Sequence, residues 1–418
     1  MAIKTYVSVN GGRKQLKKWY ASINGARKEL QKVYASVGGQ RKLIYTKSSP
    51  APTTRYGTLY YKPRTSDPDS EIRSVELQSI AEFNSLCSSS YTWTASVGGG
   101  AVTVSAQSNN CVVGIDIGTD INTIPDYFLH VCKQLKMPLV VPSTVTSIGN
   151  YFLSSCENYN SPMSIPNTIT SIGNNFMESC KAFNQSLTLP TNLTSIGTRF
   201  LSGCNSFNQA FSLPDTIVSI GSYFMLSCVN FNKPITIPSG VSAIPANFLS
   251  QCSKFNQSIT MHNMITTING GFLSRASEFN QPINIPNSVT SIGSFLENCS
   301  SFNQPITLPN GLIEISGSFL SGCTSFNQSI TLPAGLTLLG YDFLRYCNNM
   351  TSVVNFGNLN TSILNVSANV AYNISADDSS APAYINGVPI AGGNRTAWLT
   401  KLPNSDTSPY RKLIDAGY

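Results

Sequence analysis

Residues 186–209 read SLTLPTNLTSIGTRFLSGCNSFNQ and residues 305–328 read PITLPNGLIEISGSFLSGCTSFNQ, and these two stretches decide the fold. They belong to a run of ten consecutive 24-residue units that begin at Gly114, Pro138, Pro162, Ser186, Ala210, Pro234, Ser258, Pro282, Pro305 and Ser329, the eighth being one residue short. A fixed period of this size means that each unit buries its apolar face only against its neighbours, so the core runs the length of a stacked solenoid. Function in such a molecule is carried by faces and ends.

Each unit opens with apolar second and fourth residues, such as Leu187 and Leu189 or Ile306 and Leu308, around a small polar third residue. That is the period-two signature of a strand with one buried face. A proline then ends the strand in most units, at Pro142, Pro166, Pro190, Pro214, Pro238, Pro286, Pro309 and Pro333, because it has no N–H to give. A second apolar pair, for example Leu193 and Ile196, precedes a glycine column at Gly149, Gly173, Gly197, Gly221, Gly293 and Gly340, where freedom at positive φ is expected to make a corner. The last third carries Phe-Leu or Phe-Met, a Cys four residues after that Phe, and Phe-Asn. Its spacing suits one short helical or 3₁₀ turn on the opposite wall.

The pattern resembles the BspA-like class of leucine-rich repeats, through segments such as SIPNTITSIGNNFMESC from Ser164 and its relatives between Gly114 and about Ser352. The resemblance implies a right-handed leucine-rich-repeat solenoid of the kind used in surface proteins for adhesion and binding. The FNQ endings, as at Phe183-Asn184-Gln185 and Phe326-Asn327-Gln328, depart from the leucine-containing link more usual in that class.

With 41% hydrophobic and 11% charged residues, the chain has the makeup of a folded protein long enough for several domains. It has no apolar run long enough for a membrane-spanning helix, and MAIKTYVSVNGG at the start lacks the apolar core of a signal peptide. The expectation is a protein made in a cytoplasm and not inserted in a membrane. Nine of the eleven cysteines, Cys132, Cys156, Cys180, Cys204, Cys228, Cys252, Cys299, Cys323 and Cys347, share one repeat position, and Ala276 stands there in the seventh unit. A column that tolerates alanine reads as buried free thiols rather than disulfides, and CxxC or Cys/His metal spacing is missing. The asparagines after the second Phe read as a buried amide ladder that satisfies its own turns.

Residues 1–47 carry a different, 14-residue repeat: YVSVNGGRKQLKKW from Tyr6, YASINGARKELQKV from Tyr20 and YASVGGQRKLIYTK from Tyr34. Alternating residues on either side of an Asn-Gly or Gly-Gly pair are a hairpin signal. Eleven Lys or Arg against the one acid Glu29 give this segment +10, which leaves −3 on the rest of a chain whose total is +7. Arg13, Lys14, Arg27, Lys28, Arg41 and Lys42 recur with the period. Such charge suits an anionic partner or a solvated strand face. The segment also resembles N-terminal repeats of tailed-bacteriophage structural proteins, and that resemblance implies attachment to a virion rather than nucleic-acid binding.

The expected organisation is therefore a basic hairpin anchor (1–47), a linker and N-terminal cap (48–113), the solenoid (114–352), and a C-terminal cap with a small terminal segment (353–418), including a short helix around Thr396 to Leu402. Catalytic motifs are missing: the two histidines, His130 and His262, sit at repeat positions, and no GxSxG, HExxH or phosphate loop appears. Asp116, Asp120, Asn122 and Asp126 offer hard oxygens without the spacing of a calcium loop and read as a solvated first rung. No cofactor is expected.

The resulting expectation is a non-enzymatic virion protein that oligomerises, with other virion proteins at its N-terminus. Its third-position column, Ser164, Thr188, Ser212, Thr236, Thr260, Asn284, Thr307 and Thr331, would meet a host-surface glycan or protein. A tail fibre, a capsid decoration or head fibre, and a bacterial surface adhesin are the competing assignments.

Overall fold

The computed structural model describes residues 56–62, 66–77, 79–84, 112–347 and 349 in full, and further strands between residues 6 and 46, 93 and 104, and 354 and 391 as backbone. The chain divides into two compact units, Met1–Thr53 and Thr54–Tyr418.

The first unit holds three separate hairpins, Tyr6–Val9 with Gly12–Gln15, Tyr20–Ile23 with Ala26–Glu29, and Lys32–Val37 with Gln40–Thr46. Val9 pairs with Gly12, Ile23 with Ala26 and Val37 with Gln40. The basic pairs therefore occupy equivalent places: Arg13 opposite Ser8, Arg27 opposite Ser22, and Arg41 opposite Ser36. Their side chains lie outside the described residues.

The second unit begins with a three-stranded antiparallel sheet in which Gly57–Tyr61 lies between Arg73–Glu76 and Val112–Ile117. A short helix, Ile80–Ser85, follows, and the Ser79 hydroxyl accepts the Glu82 N–H at 3.1 Å as its cap. This helix sets the fully buried Phe83 against Phe128, ring centroids 5.1 Å apart, so the first rung is covered at that point. Asp69 accepts from both Lys62, at 3.0 Å, and Lys136.

From there the ten units stack as rungs with three walls. The most continuous wall is the Ser-Ile pair before the glycine column. It forms a five-stranded parallel sheet from Thr123–Ile124 to Ser219–Ile220, and a six-stranded one from Ala243–Ile244 to Asn365–Val366. The opening segments were expected to be the strands, yet they pair in only three places: Leu139–Val140 with Met163–Ser164, Ile235–Thr236 with Ile259–Thr260, and Ile330–Thr331 with Val354–Asn355. Their two inward side chains are anchored in the core, which fixes their direction without a ladder; Leu187 and Leu189 are buried on either side of exposed Thr188. The proline after most openings starts a tight turn, as where Leu193 N–H donates to Pro190 O at 3.1 Å. Beyond Ser352, Val354–Asn355 and Asn365–Val366 extend both ladders, and Val388–Ala391 adds to the former.

The glycine column does not work through positive φ. What excludes a side chain is the next rung: a Cβ on Gly173 would lie 2.5 Å from the carbonyl carbon of Gly149, and one on Gly221 would lie 2.4 Å from the Thr198 nitrogen. Adjacent backbones come this close in the glycine rungs, where the missing Cβ leaves room; Asn269 and Ser316 hold the same position in the seventh and ninth rungs.

The third wall is not helical. Residues alternate into the left-handed region, as at Tyr151 (φ 58°), Leu153 (φ 54°) and Ser155 (φ 62°), and the pattern recurs from Tyr127 to Tyr346. Tyr151 N–H donates forward to Asn174 O at 2.7 Å, Leu153 N–H back to Phe128 O at 3.0 Å, and Ser155 N–H forward to Glu178 O at 2.6 Å. Alternation aims successive N–H groups at the two neighbouring rungs, whereas a helix would turn them all along its own axis. Each left-handed non-glycine residue costs about 1–2 kcal/mol, which the inter-rung bonds offset. Gly203 (φ 74°), Gly271 (φ 82°) and Gly322 (φ 74°) fall at these positions, where glycine carries no such penalty.

Two aromatic columns fill the interior. One runs from Phe128 to Phe343 with successive centroids 5.2 to 6.2 Å apart. The other runs from Tyr159 to Phe326 at 5.7 to 6.0 Å. The stack spacing places the rings inside the favourable range for aromatic pairs.

Candidate binding surface

The third-position residues Ser164, Thr188, Ser212, Thr236, Thr260, Asn284, Thr307 and Thr331 are all exposed, between inward neighbours that are buried or partly buried. Period-two geometry makes this unavoidable once the flanking positions are committed to the core. Thr236 pairs directly with Thr260. Thr188 and Ser212 share a shallow groove of about 600 Å³ whose floor includes Leu187 and Phe211 and whose rim includes Asp215. Phe211 is partly buried and leans between both aromatic columns, 6.4 Å from Phe200 in one and 5.9 Å from Phe207 in the other. The column offers hydroxyls, one amide and, in the second rung, exposed Val140; its one charged member is the partly buried Asp116 of the first rung.

A second regular face lies outside the Ser-Ile wall, where Thr146, Thr170, Thr194, Ser242 and Thr266 are exposed. Their hydroxyls are partly used within the wall: Thr194 Oγ1 donates to Thr170 O at 2.9 Å and Thr266 Oγ1 to Ser242 O at 3.3 Å. Sequence reading missed this face because the residue before the Ser-Ile pair follows a turn rather than a recognisable strand start. The period that revealed the other columns also marks this one.

The remaining columns are structural. The nine repeat cysteines are buried free thiols, and each from Cys156 onward donates to a carbonyl of the preceding rung, as Cys180 does to Leu153 O at 3.1 Å and Cys252 to Met225 O at 3.2 Å. Burial pushes the thiols of Cys252 and Cys347 up to about 12, and raises those of Cys180, Cys204, Cys228, Cys299 and Cys323 as well. Thiols held protonated are poor nucleophiles and poor metal ligands.

The asparagine ladder is half-buried at the rim rather than buried. Asn208 Oδ1 accepts the Asn232 N–H at 2.9 Å, Asn232 Oδ1 accepts from Asn256 at 3.0 Å, and the pattern runs from Asn160 to Asn327. A turn that exposes its backbone N–H needs this acceptor, and the rim lets the adjoining glutamines reach it too, as Gln209 Nε2 reaches Asn184 Oδ1 at 3.1 Å.

The first-rung acids do not converge. Asp116 accepts the Tyr60 hydroxyl at 2.7 Å, and Asp126 accepts Asn150 N–H at 2.7 Å; among the described residues no group of three or more His, Cys, Asp or Glu is placed to hold a metal ion. The histidines serve the backbone. His130 Nδ1 lies 3.0 Å from Ser154 O, and burial lowers its pKa. His262 Nδ1 accepts the Met264 N–H, which leaves Nε2 to donate to Pro238 O at 2.8 Å. No helix among the described residues is long and apolar enough to cross a membrane.

Stacked parallel rungs with long regular faces define a repeat solenoid, a class that serves typically as a binding scaffold. The BspA type leucine rich repeat region matches residues 105–184, 182–294 and 275–375. The chain belongs to that family. Among solved structures it is similar to a leucine-rich repeat protein from Bacteroides ovatus ATCC 8483, at 18% identity over 68% of this chain and 78% of the other, TM-score 0.49. It is also similar to a leucine rich cell surface protein from Faecalibacterium prausnitzii A2-165, at 16% identity over 64% of this chain and 91% of the other, TM-score 0.29. A third is a T. pallidum leucine rich repeat protein, at 15% identity over 63% and 89%, TM-score 0.31. No curated protein matches the sequence.

Proposed function

We propose that this protein is a non-enzymatic structural component of a tailed-bacteriophage virion, of the tail-fibre or receptor-binding type. Its basic N-terminal hairpins attach it to other virion proteins, and its exposed third-position column meets a host-surface glycan or protein. The observation that carries the reading is the separation of two jobs along the chain. The tandem hairpins with their periodic Arg-Lys pairs form one compact unit, and the exposed column of small polar residues belongs to the other. A flat row of small hydroxyls suits many weak contacts, multiplied by copy number on a particle and by self-association of the chain. The resemblance of residues 6–47 to phage structural repeats supports the virion as the place of attachment. Capsid decoration or a head fibre is the same proposal at a different location on the particle.

Family membership favours one other reading, a bacterial surface adhesin that presents the same face from a cell. A chain lacking residues 1–47 separates the two. The virion reading expects it to fold as the full chain does and to be missing from purified particles. Normal incorporation of the truncated chain overturns attachment through the hairpins, and immunolabelling confined to the bacterial envelope overturns the virion altogether.

A further inference from the structure

Along the Ser-Ile wall, neighbouring rungs within each sheet are joined by a parallel strand pair and by two further backbone bonds beside it. Thr194 N–H donates to Thr170 O at 2.8 Å and Gly197 N–H to Ile172 O at 2.9 Å; the next rung repeats this with Val218 to Thr194 at 2.9 Å and Gly221 to Ile196 at 2.8 Å. After one interruption the pattern resumes, Thr266 donating to Ser242 at 2.8 Å and Asn269 to Ile244 at 3.1 Å. The interruption falls between the fifth and sixth rungs, where the parallel sheet ends at Ser219–Ile220 and a new one starts at Ala243–Ile244. Among the described residues no backbone hydrogen bond joins 210–222 to 234–245. The cause can be read at one position. The residue that would donate to Ile220 O is Pro245, which has no N–H. Pro125 holds the same place in the first rung, where no earlier repeat precedes it, so the sixth rung carries the chemistry of a starting rung.

The turn wall, by contrast, runs through the same junction unbroken. Tyr223 N–H donates to Ala246 O at 2.8 Å, Ser227 N–H to Ser250 O at 2.8 Å, and Leu249 N–H to Phe224 O at 3.1 Å. Phe224 and Phe248 stack at 5.2 Å, and Phe231 and Phe255 at 6.0 Å. On the open side the rungs meet by contact alone: a Cβ on Gly240 would come within 2.9 Å of Ile217 O and Val218 Cγ1. A groove of about 540 Å³ follows this seam, lined by Val218, Ser219, Ser242, Ala243 and Pro245 among others.

We infer that the solenoid contains a one-sided joint between its fifth and sixth rungs, pinned along the turn wall and free to open along the Ser-Ile wall. The joint divides an otherwise stiff stack into two blocks that bend relative to each other, which lets a long face follow a curved partner. It depends on no assignment of that partner.

Amide hydrogen exchange on the full chain tests it. Local opening sets exchange where inter-rung bonds are missing, so the Ser242 and Ala243 amides are expected to exchange about tenfold faster than those of Thr194 and Thr266. Pro245→Gly restores the residue found at this position in most rungs and gives Ile220 O a donor. It is expected to slow Ser242 to the rate of its counterparts and to narrow the distance distribution between spin labels at exposed positions 194 and 266. Equal protection of Ser242, Thr194 and Thr266 in the unaltered chain overturns the joint. So does a Pro245→Gly chain in which exchange and label distances do not change.

Discussion

Cys228 Sγ donates to the carbonyl of Leu201, one rung back, at 3.0 Å, and that same carbonyl accepts the Cys204 N–H at 3.1 Å. The thiol thus adds a second bond to an acceptor already satisfied. Cys228→Ala should cost only about 1 kcal/mol, for a weak bond and a small void. Cys228→Ser should cost about 1–3 kcal/mol, because the shorter C–O bond leaves a hydroxyl poorly placed in an apolar column. Denaturant titration of both variants checks the order, which an alanine variant less stable than the serine one would reverse.

Thiol chemistry gives a pH test. The folded state holds Cys252 and Cys347 up to about 12, against an ordinary thiol value of 9.0. Below pH 9 both folded and unfolded chains keep these protons, and the stabilisation is fully present. Between about pH 9 and 12 the unfolded chain releases them while the fold retains them, so unfolding is favoured progressively as pH rises. Alkylation of the nine repeat cysteines should be negligible in the native protein at pH 8 and near complete in denaturant without reductant. Disulfides recovered in most positions would contradict a reduced column.

Two glycines form an internal comparison. Gly173→Ala puts a Cβ 2.5 Å from the backbone of Gly149, while a Cβ on Gly335 meets nothing within 4 Å. The first change should cost about 3 kcal/mol or more, and the second should be neutral or stabilise by up to about 1 kcal/mol through the unfolded chain. Thermal melts of the two variants decide this, and equal melting temperatures would refute the contact as the reason for the column.

The asparagine ladder makes a similar demand. Asn232→Ala removes the acceptor of the Asn256 N–H and should cost about 1–3 kcal/mol, whereas Gln209→Ala at the rim should cost less than about 1 kcal/mol. Equal losses would mean that the amide column is not an acceptor ladder.

Much of this architecture was legible in the period alone. In-register copies reveal which positions are inward, so the Phe and Cys columns and the exposed hydroxyls are legible in the sequence, whereas the asparagine ladder, expected to be buried, lies half-buried at the rim. Local conformation was harder to read. Glycine signals either positive φ or lack of room, and only the stacked backbones at Gly149 and Gly173 distinguish them. Leu153 and Met177 in the left-handed region break the usual residue preference, so an inter-rung ladder passed for a helical turn. The effect of Pro245 is not legible in its own rung, because its consequence is a bond missing from Ile220 in the rung before it.

The central claim is that the exposed third-position column is the surface through which this scaffold binds. Its most direct measurement is adsorption to host cells by a chain carrying Thr188→Glu, Ser212→Glu and Thr236→Glu, three exposed positions on adjacent rungs, with thermal stability recorded alongside. The account expects adsorption to fall by about tenfold or more, because repeated weak contacts are lost together, with assembly intact and the melting temperature within a few degrees. A triple variant that assembles and adsorbs like the unaltered protein would contradict it and leave the solenoid as a spacer whose contacts lie at its ends.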